Sequence, residues 1–477
     1  MILLIKNEKY GLLTDFYQLT MCNAYLLKGL GDQHAVFDLF FRRAPFGGVY
    51  AIAYGLNKAI RDICNLQFYE DDIEFLRDEG TFSEDFLDYL ANWNCKLSIR
   101  SLDDGMVIYP YEPIMQIEGP LIQCQLVETY LLNSFNFPTL CATKANRMWL
   151  TSGKQPILEF GLRRAQGPNG GISASEASMV GGCVGTSNVL AGKLHDINVS
   201  GTHAHSWVMA FDTELESFRT YAEIYPDACV LLVDTYDTLK SGIPNAIKVG
   251  KELEEKGHKL VAIRIDSGDL AYFSRKARKM LDEAGLDYVK IILSNDVDEY
   301  VISEIKKQKG KADIWGIGTK LATCYDDPAL GGVYKLSVFD SEPRLKISSN
   351  VKKTTIPCKK QVFRVYDEDD YMIGDIMEIF DKSTLESQIV YDPINPMRNY
   401  KLEAPTRVEA LLHPKVKEGK MLSELGFWKK AKKTMEKDIA HLSDSHTRLL
   451  NPQNYKVSIS ESLHHLRTKL IEQHSIQ

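Results

Sequence analysis

Residues 260–270 read Leu260-Val-Ala-Ile-Arg-Ile-Asp-Ser-Gly-Asp-Leu270, an apolar run that ends abruptly in polar residues. Five of the first six residues are apolar, which is typical of a strand that is buried on both faces. The pattern that follows, from about Ala271 to Ala284, is amphipathic with a helical period. A buried strand followed by a helix is the repeating unit of parallel sheets, so this stretch predicts an α/β fold.

The same alternation of apolar runs and helical patterns extends in both directions along the chain. Further strands are expected at Pro156–Phe160, Asn198–Gly201, Val230–Asp234, Val289–Leu293 and Ile314–Ile317, most of which are apolar runs. Helices are expected between them at Ser173–Leu194, Ile247–Lys256 and Glu299–Lys307. Parallel strands joined by helical crossovers fit either a (β/α) barrel or a doubly wound sheet, and we favour an irregular barrel.

The flanking sequence has a different character. Ala35–Phe41 is an aromatic strand-like run, and Gln361–Tyr366 and Asp375–Phe380 are strand-like segments nearer the carboxyl terminus. We therefore expect a discontinuous α+β domain built from both ends of the chain, with a partly helical polar tail. The expected segments are residues 1–140 and 331–477 for the α+β domain and residues 141–330 for the barrel.

Composition excludes several classes of protein. The chain has 477 residues, more than the roughly 250–300 at which a single hydrophobic core stops growing. The net charge of -7 argues against a nucleic-acid binder, and no apolar stretch reaches the ~20 residues of a membrane helix. The nine scattered cysteines and the short apolar start Met1–Lys6 fit a reduced protein without a signal peptide. We therefore predict a cytoplasmic protein.

Polar residues follow every predicted strand, and parallel α/β folds bind ligands at the carboxyl ends of their strands. A helix cap would explain one polar strand end, but not a series that carries arginines, histidines, a lysine and carboxylates. The series predicts a catalytic face. Its members are Glu159-Phe-Gly-Leu-Arg-Arg164, Gly201-Thr-His-Ala-His-Ser206, Asp234-Thr-Tyr-Asp237, Arg264–Asp269, Ser294-Asn-Asp-Val-Asp298 and Gly316-Ile-Gly-Thr-Lys320.

Two of these strand ends suit a phosphorylated sugar. The glycines of Gly316–Lys320 let backbone N–H groups approach an anion, although a G-x-G sequence can equally form a tight turn. Arg264 and Asp266 point the same way from a strand, and suit an anionic group beside sugar hydroxyls or, alternatively, a buried ion pair. We expect the sugar to lie at Asp266, Asn295 and Gly318.

His203 and His205 share a face if their segment is extended. No fixed spacing to Asp234 or Asp237 supports a zinc site, and no metal ligand is predicted. At least one histidine faces the expected phosphate pocket, so a nucleophile or a general acid/base is the favoured role.

Several of these segments, taken in order, resemble the nicotinate phosphoribosyltransferase family. The resemblance runs from residue 11 to about residue 452. It rests on Leu13-Thr-Asp-Phe-Tyr-Gln-Leu-Thr20, Phe40-Phe-Arg-Arg43, Pro45–Gly48, Glu159–Gly167, Gly185-Thr-Ser-Asn-Val-Leu-Ala191, Gly201–Ser206, Arg264–Leu270, Gly316–Lys320, Gly331-Gly-Val-Tyr-Lys-Leu336 and Leu449-Leu-Asn-Pro452.

The resemblance implies a type II phosphoribosyltransferase, with an irregular α/β barrel, an α+β domain and an active site shared across a homodimer. The implied reaction joins nicotinate to 5-phosphoribosyl 1-diphosphate and yields nicotinate mononucleotide and diphosphate. ATP hydrolysis is coupled to it through a phosphorylated histidine, which His205 matches. Mg²⁺ accompanies the diphosphate and ATP.

The resemblance also implies the roles of individual residues. Asp266 and Arg264 join His205 as catalytic residues, and Asp266 binds the ribose hydroxyls and steadies the charge that develops as the C1–O bond breaks. Phe160 and the second subunit's Tyr17 are implied to bind the pyridine ring, and Arg163 and Arg264 to face the nicotinate carboxylate and the phosphates. Ser294, Gly318 and Thr319 are implied to hold the 5-phosphate, and Arg42 or Lys335 the diphosphate. The further substrate-binding residues are Asn295, Thr202 and Ser187.

Alternatives remain open. A related enzyme that uses nicotinamide has an Asp at the position of Ser187, where a hydroxyl favours the acid because it can donate to a carboxylate. A quinolinate enzyme would be a shorter chain with a more basic pocket. An aldolase with Lys320 as a Schiff-base amine, or a non-catalytic nucleotide sensor on the same scaffold, would belong to other functional classes.

Overall fold

The computed structural model describes residues 10–380, 385, 389–402 and 405–475, so the apolar start Met1–Lys6 lies outside the described residues. The chain divides into two compact units. The discontinuous unit comprises Met1–Leu140 and Ala329–Gln477, and the central unit comprises Cys141–Pro328. None of the helices in the described ranges is both long and apolar enough to cross a membrane.

The amino-terminal part of the discontinuous unit contains short strands between helices. The strands are β1 (His34–Phe41), β2 (Ala51–Ile52), β3 (Ser98–Ser101), β4 (Val107–Ile108) and β5 (Met115–Pro120). The helices are α1 (Phe16–Leu27), α2 (Leu56–Cys64), α3 (Glu70–Asp78), α4 (Glu84–Ala91), α5 (Leu121–Leu126) and α6 (Glu128–Thr151), the last of which runs on into the central unit.

The central unit alternates strands and helices. Its strands are β6 (Ile157–Glu159), β7 (Gly185–Thr186), β8 (Val230–Leu232), β9 (Ala262–Ile265), β10 (Lys290–Ser294) and β11 (Ile314–Ile317). Its helices are α7 (Gly167–Gly181), α8 (Val189–His195), α9 (His205–Met209), α10 (Glu214–Ile224), α11 (Ile243–Glu255), α12 (Leu270–Glu283), α13 (Glu299–Lys307) and α14 (Thr319–Ala322).

The carboxyl-terminal part returns to the discontinuous unit. Its strands are β12 (Gly332–Phe339), β13 (Glu342–Pro343), β14 (Lys360–Tyr366), β15 (Met372–Ile379), β16 (Ile389–Tyr391), β17 (Asn399–Lys401), β18 (Arg407–Ala410), β19 (His413–Lys417), β20 (Lys420–Met421) and β21 (Val457–Ser460). Its helices are α15 (Trp428–Ala440), α16 (Asp444–Thr447) and α17 (Glu461–Ser475).

The two ends of the chain form one common sheet in the discontinuous unit, and the carboxyl-terminal part forms another by itself. One antiparallel sheet has the order β13-β12-β1-β5-β3-β19-β20, in which Val36 of β1 pairs with Val338 of β12. A second sheet has the order β17-β16-β21-β15-β14-β18. Strand β21 of the polar tail lies inside this sheet, so the tail contributes a paired strand as well as helices.

The sheet of the central unit is parallel, with the order β7-β6-β11-β10-β9-β8. Strands β8 to β11 follow one another in space as they do along the chain, and the last of them, β11, pairs with the first strand of the unit, β6. Val199 forms a single parallel bridge to Thr186 beyond β7. Because all six strands run the same way, their carboxyl ends meet at one edge of the sheet.

Most predicted elements of the central unit are observed, and two predictions are wrong. The strand Ile314–Ile317 and the helix Glu299–Lys307 have the predicted bounds. The single helix expected at Ser173–Leu194 is two helices, because Gly182 adopts φ +124° and ends α7 before the short strand β7. The strand expected at Asn198–Gly201 is reduced to the bridge at Val199, where the chain turns towards α9.

Candidate active site at the carboxyl edge of the parallel sheet

Asp266 lies at the carboxyl end of β9, between polar groups of the neighbouring strand ends. Its Oδ1 atom accepts a hydrogen bond of 2.5 Å from the hydroxyl of Ser294, the last residue of β10. Its Oδ2 atom lies 3.7 Å from Nη2 of Arg264. The Asp266 side chain is partly exposed. The strand end therefore presents an oriented carboxylate that is able to meet a ligand from solvent.

Arg264 has one N–H group that the protein leaves unpaired among the described residues. Its Nη1 group donates to Thr202 Oγ1 at 2.5 Å, and this contact joins the end of β9 to the segment before α9. Its Nε–H group is buried without a hydrogen-bond partner among the described residues. A buried donor without a partner is costly, so a ligand that accepts from this guanidinium would be stabilised.

Asp234 follows β8 and is held by the turn after β9. Its Oδ2 atom accepts from the backbone N–H of Asp266 and from the hydroxyl of Ser267, both at 2.7 Å. The side chain is only 1% exposed. The sequence places Asp234 at a strand end but assigns it no role, because spacing does not show which neighbouring turn it contacts.

His205 faces Asp234. Its Nε2 atom lies 3.4 Å from Asp234 Oδ1, an oxygen that accepts no hydrogen bond from the described residues. The imidazole is 39% exposed, so it is accessible to a reactant. A fixed carboxylate beside one ring nitrogen orients the ring, as it does in histidine-based catalysis.

His203 is buried, whereas His205 is exposed, and Ala204 between them is extended, as a shared face requires. Helix α9 begins at His205, and His203 lies in the preceding turn, buried against Trp207 and Tyr221. Its Nε2 atom accepts from the backbone N–H of Leu232 at 3.2 Å. Burial lowers the pKa of His203 to about 4, so the buried imidazole is uncharged at neutral pH.

The depressed pKa of His203 predicts a pH-dependent stability. The His203 imidazole takes up a proton near pH 6.5 in the unfolded chain but only near pH 4 in the folded chain. The free energy of unfolding therefore falls as the pH drops through this range. We expect wild type to lose about 2 kcal/mol more unfolding free energy than His203→Gln between about pH 7 and pH 5. Urea denaturation at both pH values measures this difference, and equal losses in the two proteins would contradict it.

Glycines bring the ends of β6 and β11 together. A Cβ atom on Gly316 would lie 2.9 Å from two ring carbons of Phe160, and one on Gly318 would lie 3.0 Å from the Phe160 carbonyl oxygen. Helix α14 begins immediately afterwards at Thr319. The close packing explains both glycines and leaves the first amides of α14 at the same edge of the sheet as Asp266.

Two charged residues of the predicted face make structural contacts. Glu159 is buried, and its Oε2 atom accepts from the hydroxyls of Ser175 at 2.8 Å and Thr186 at 2.6 Å. The Nζ atom of Lys320 lies 3.6 Å from the centroid of the Tyr325 ring and 3.9 Å from Asp298 Oδ2. Both are contacts of a cation, whereas a Schiff-base lysine reacts as the uncharged amine, so they disfavour the aldolase.

The remaining predicted residues of the central unit also follow strands. Ser187 comes directly after β7, and its backbone N–H donates to the Glu159 carbonyl at 2.9 Å. Arg163 is exposed on a 3-10 turn at Leu162–Arg164, after β6. Asn295 adopts φ +85° at the turn after β10.

Tyr17, Arg42 and Lys335 belong to the discontinuous unit, so their share in the site stays a prediction. Tyr17 on α1 is half exposed, and burial together with the charge of Glu128 raises the pKa of its hydroxyl. Arg42 follows β1, and its guanidinium carbon lies 5.5 Å from the centroid of the Phe40 ring. Lys335 of β12 has its Nζ atom 3.7 Å from Glu128 Oε1.

These strand ends place a carboxylate, a guanidinium with an unpaired N–H and an exposed histidine at one edge of a parallel sheet, an arrangement typical of α/β enzymes. Three family models match the chain. They are the nicotinate phosphoribosyltransferase amino-terminal domain at residues 12–136, the nicotinate phosphoribosyltransferase family at residues 156–372, and the corresponding carboxyl-terminal domain at residues 359–467. The chain belongs to the nicotinate phosphoribosyltransferase family, so the resemblance predicted from the motifs is confirmed.

Individual relatives agree with the family models. The chain is 40% identical to a nicotinate phosphoribosyltransferase of Bacillus subtilis, over 96% of this chain and 94% of the relative. It is 32% identical to the Homo sapiens nicotinate phosphoribosyltransferase, over 96% of both chains. The crystal structure of human nicotinic acid phosphoribosyltransferase is similar with a TM-score of 0.85 at 30% identity, over 96% of this chain and 99% of that one. The protein is therefore an enzyme with a mixed α/β fold.

A more distant structure supports the fold alone. Nicotinate-nucleotide pyrophosphorylase from Pyrococcus furiosus is similar with a TM-score of 0.71 at 21% identity, over 92% of this chain and 98% of that one.

Proposed function

We propose that this enzyme joins nicotinate to 5-phosphoribosyl 1-diphosphate, yields nicotinate mononucleotide and diphosphate, and couples the reaction to ATP hydrolysis through His205. The observation that carries the proposal is one constellation at the carboxyl edge of the parallel sheet. Asp266 and Arg264 lie there as groups for a phosphorylated sugar, and Asp234 joins them to an accessible imidazole.

Asp266 is the central residue of the transfer step. The pyridine nitrogen of nicotinate forms a bond to ribose C1 while the C1–O bond to diphosphate breaks, and positive charge develops on the sugar. Asp266, oriented by the Ser294 hydroxyl, binds the ribose hydroxyls and stabilises this charge. Arg264 offers its unpaired N–H to the anionic groups of the reactants.

The phosphate groups are assigned to the turns after β10 and β11. Ser294, Asn295, Gly318 and Thr319 are proposed to hold the 5-phosphate, with Thr202 nearby through its contact with Arg264. Mg²⁺ keeps several waters and binds through one or two carboxylates together with substrate phosphates, and the partly exposed carboxylate of Asp266 fits this preference. The ion supplies charge neutralisation of the diphosphate. Arg42 or Lys335 is proposed to contact the same diphosphate.

His205 is proposed to carry the phosphoryl group of ATP. Asp234 lies beside Nε2 and can hold a proton there, which leaves Nδ1 as the nucleophilic nitrogen. The bond between Nδ1 and the γ-phosphorus forms as the bond to ADP breaks. Water later accepts the phosphoryl group, which completes ATP hydrolysis.

The pyridine site is proposed to consist of Phe160, Arg163 and Ser187 of one chain and Tyr17 of a second chain in a homodimer. Phe160 stacks on the ring, and Arg163 pairs with the carboxylate. The exposed position of Tyr17 on α1 supports a contribution across a subunit boundary. Cytoplasmic location and the dimer itself stay predictions.

Ser187 is proposed to set the preference for the acid over the amide. We expect Ser187→Asp to lower kcat/KM for nicotinate about 100-fold, because a carboxylate beside the substrate carboxylate costs several kcal/mol. Activity on nicotinamide should rise relative to nicotinate. Steady-state rates on both pyridines measure the change, with Ser187→Thr as the control that keeps a hydroxyl. Unchanged discrimination in Ser187→Asp would remove this role.

The strand order supports a barrel in the central unit. We infer that the barrel spans residues 141–330 and that residues 1–140 and 331–477 form a separate α+β domain. The pairing of β6 with β11 joins the first and last strands, as closure requires. One gap remains, between the Val199 segment and β8. At this gap the backbone N–H of Leu232 in β8 donates to the His203 side chain, where a regular barrel would have hydrogen bonds between two strands. We therefore describe the barrel as irregular.

A product assay tests the proposed function against its alternatives. Purified enzyme is incubated with phosphoribosyl diphosphate, Mg²⁺ and ATP, and with nicotinate, nicotinamide or quinolinate in separate reactions. Formation of nicotinate mononucleotide from nicotinate alone is expected. A preference for nicotinamide would favour the related amide-using enzyme, and no product from any pyridine would favour a nucleotide sensor.

A further inference from the structure

Lys144 is a fully buried cation whose position the proposed reaction leaves unexplained. It lies on α6 within the central unit, and its side chain is 0% exposed. Its Nζ atom lies 2.9 Å from Glu299 Oε2 and 2.5 Å from Asp326 Oδ2. Burying a lysine together with carboxylate partners is costly, because each charge loses its contact with water.

The two carboxylates come from segments that continue the proposed phosphate-binding turns. Glu299 is the first residue of α13, directly after the turn Ser294–Asp298. Asp326 follows α14, whose start at Thr319 succeeds the Gly316–Gly318 turn. Lys144 therefore links the two segments that follow the turns proposed to hold the 5-phosphate.

Neighbouring charges fix both partners of Lys144. Arg147, one helical turn further along α6, donates to Glu299 Oε1 at 2.9 Å, while Glu299 Oε2 faces Lys144 as an ion pair without a hydrogen bond of good geometry. Burial raises the pKa of the Asp326 carboxyl, but the hydrogen bond and charge of Lys144 outweigh it and keep that pKa below its ordinary value. The charges of Lys320 and Arg147 lower the pKa of Asp326 further.

We propose that Lys144 is a positioning residue that sets the spacing of the Ser294–Asp298 and Gly316–Lys320 turns, and hence the affinity for the phosphate end of phosphoribosyl diphosphate. The inference rests on the proposed function for the identity of the substrate. It requires that loosening either carboxylate from Lys144 weakens sugar-phosphate binding more than it changes nicotinate binding. A purely structural role would instead lower stability and affect both substrates alike.

Asp326→Asn is the sharpest test, because this side chain is 37% exposed and its loss leaves the buried pair with Glu299 intact. We expect KM for phosphoribosyl diphosphate to rise roughly 3- to 30-fold, the range of a coupled second-site change, with KM for nicotinate nearly unchanged. Asp326→Glu keeps the charge and should recover most of the affinity. Arg219→Gln, which removes the exposed pair with Glu252, is the control for loss of an ion pair elsewhere in the unit.

Calorimetric titration with ribose 5-phosphate provides a second measurement that does not depend on turnover. Asp326→Asn and Lys144→Met are expected to bind it more weakly than wild type by a similar factor, and Arg219→Gln should bind as wild type does. Thermal unfolding of each variant identifies any Lys144→Met sample that is not folded.

The outcomes separate the two proposals. If wild type forms no product from nicotinate, the proposed function fails, and the ribose 5-phosphate titration still decides the role of Lys144. If Asp326→Asn binds ribose 5-phosphate within about twofold of wild type, the positioning role is wrong. A parallel rise of both KM values would equally overturn it.

Discussion

Replacing Asp266 by Asn is expected to lower kcat for nicotinate mononucleotide formation by about 10²- to 10³-fold, the effect typical of removing one electrostatic group from a transition state. Asparagine keeps the size of the side chain and an oxygen that accepts from Ser294, so the strand end should keep its shape. It lacks the negative charge that opposes the developing charge on the ribose. Steady-state kinetics at saturating substrates measure the loss.

Asp269→Asn is the matched control for this change. Asp269 lies in the same motif, but its Oδ1 atom caps α12 by accepting from the N–H of Tyr272 at 2.9 Å. Asparagine is an equally good helix cap, so stability and kcat should stay close to those of wild type. Equal losses in both variants would show that the effect is not specific to Asp266. A kcat near wild type in Asp266→Asn would contradict the proposed role.

His205→Ala is expected to abolish the stimulation of transfer by ATP and to leave a slow ATP-independent transfer. The nucleophilic imidazole is absent in this variant, whereas Asp266 and Arg264 retain their contacts at the neighbouring strand end. The measurement compares initial rates with and without ATP at subsaturating phosphoribosyl diphosphate.

His258→Ala controls for loss of a histidine that pairs with a carboxylate. His258 Nδ1 lies 2.8 Å from Asp227 Oδ1, in the turn that precedes β9 and therefore away from the carboxyl edge of the sheet. This variant should keep full stimulation by ATP. Equal stimulation in wild type and His205→Ala would rule out the phosphohistidine.

Buried parallel strands were the most predictable part of the fold. Runs such as Ile314–Ile317 are apolar because both faces of the sheet are covered, and the helix Glu299–Lys307 carries a regular apolar face. The carboxyl-edge chemistry followed from the same pattern. Once parallel strands are assigned, the polar residues after them must meet at one edge, as Asp266 and Ser294 do.

Short elements and tertiary contacts were not predictable from local pattern. Strand β7 has only two residues, which is too short to show an alternating pattern. The residues from α7 to α8 are mostly small throughout, so the composition gives no sign of the break that the positive φ of Gly182 makes between the two helices. His203 and Asp234 show a second reason. Their partners Leu232 and Ser267 lie on other strand ends, and the spacing of residues along the chain carries no information about such contacts.

The most direct test of the coupled reaction follows phosphate on the protein. The enzyme is incubated with ATP labelled in the γ-phosphoryl group, and the acid-labile label is located by peptide mass spectrometry. Nicotinate and phosphoribosyl diphosphate are then added. We expect a label on His205 that leaves the protein as nicotinate mononucleotide forms, and no such loss of label when nicotinamide replaces nicotinate. Product formation without any label on His205, or a label that persists through turnover, would contradict this expectation.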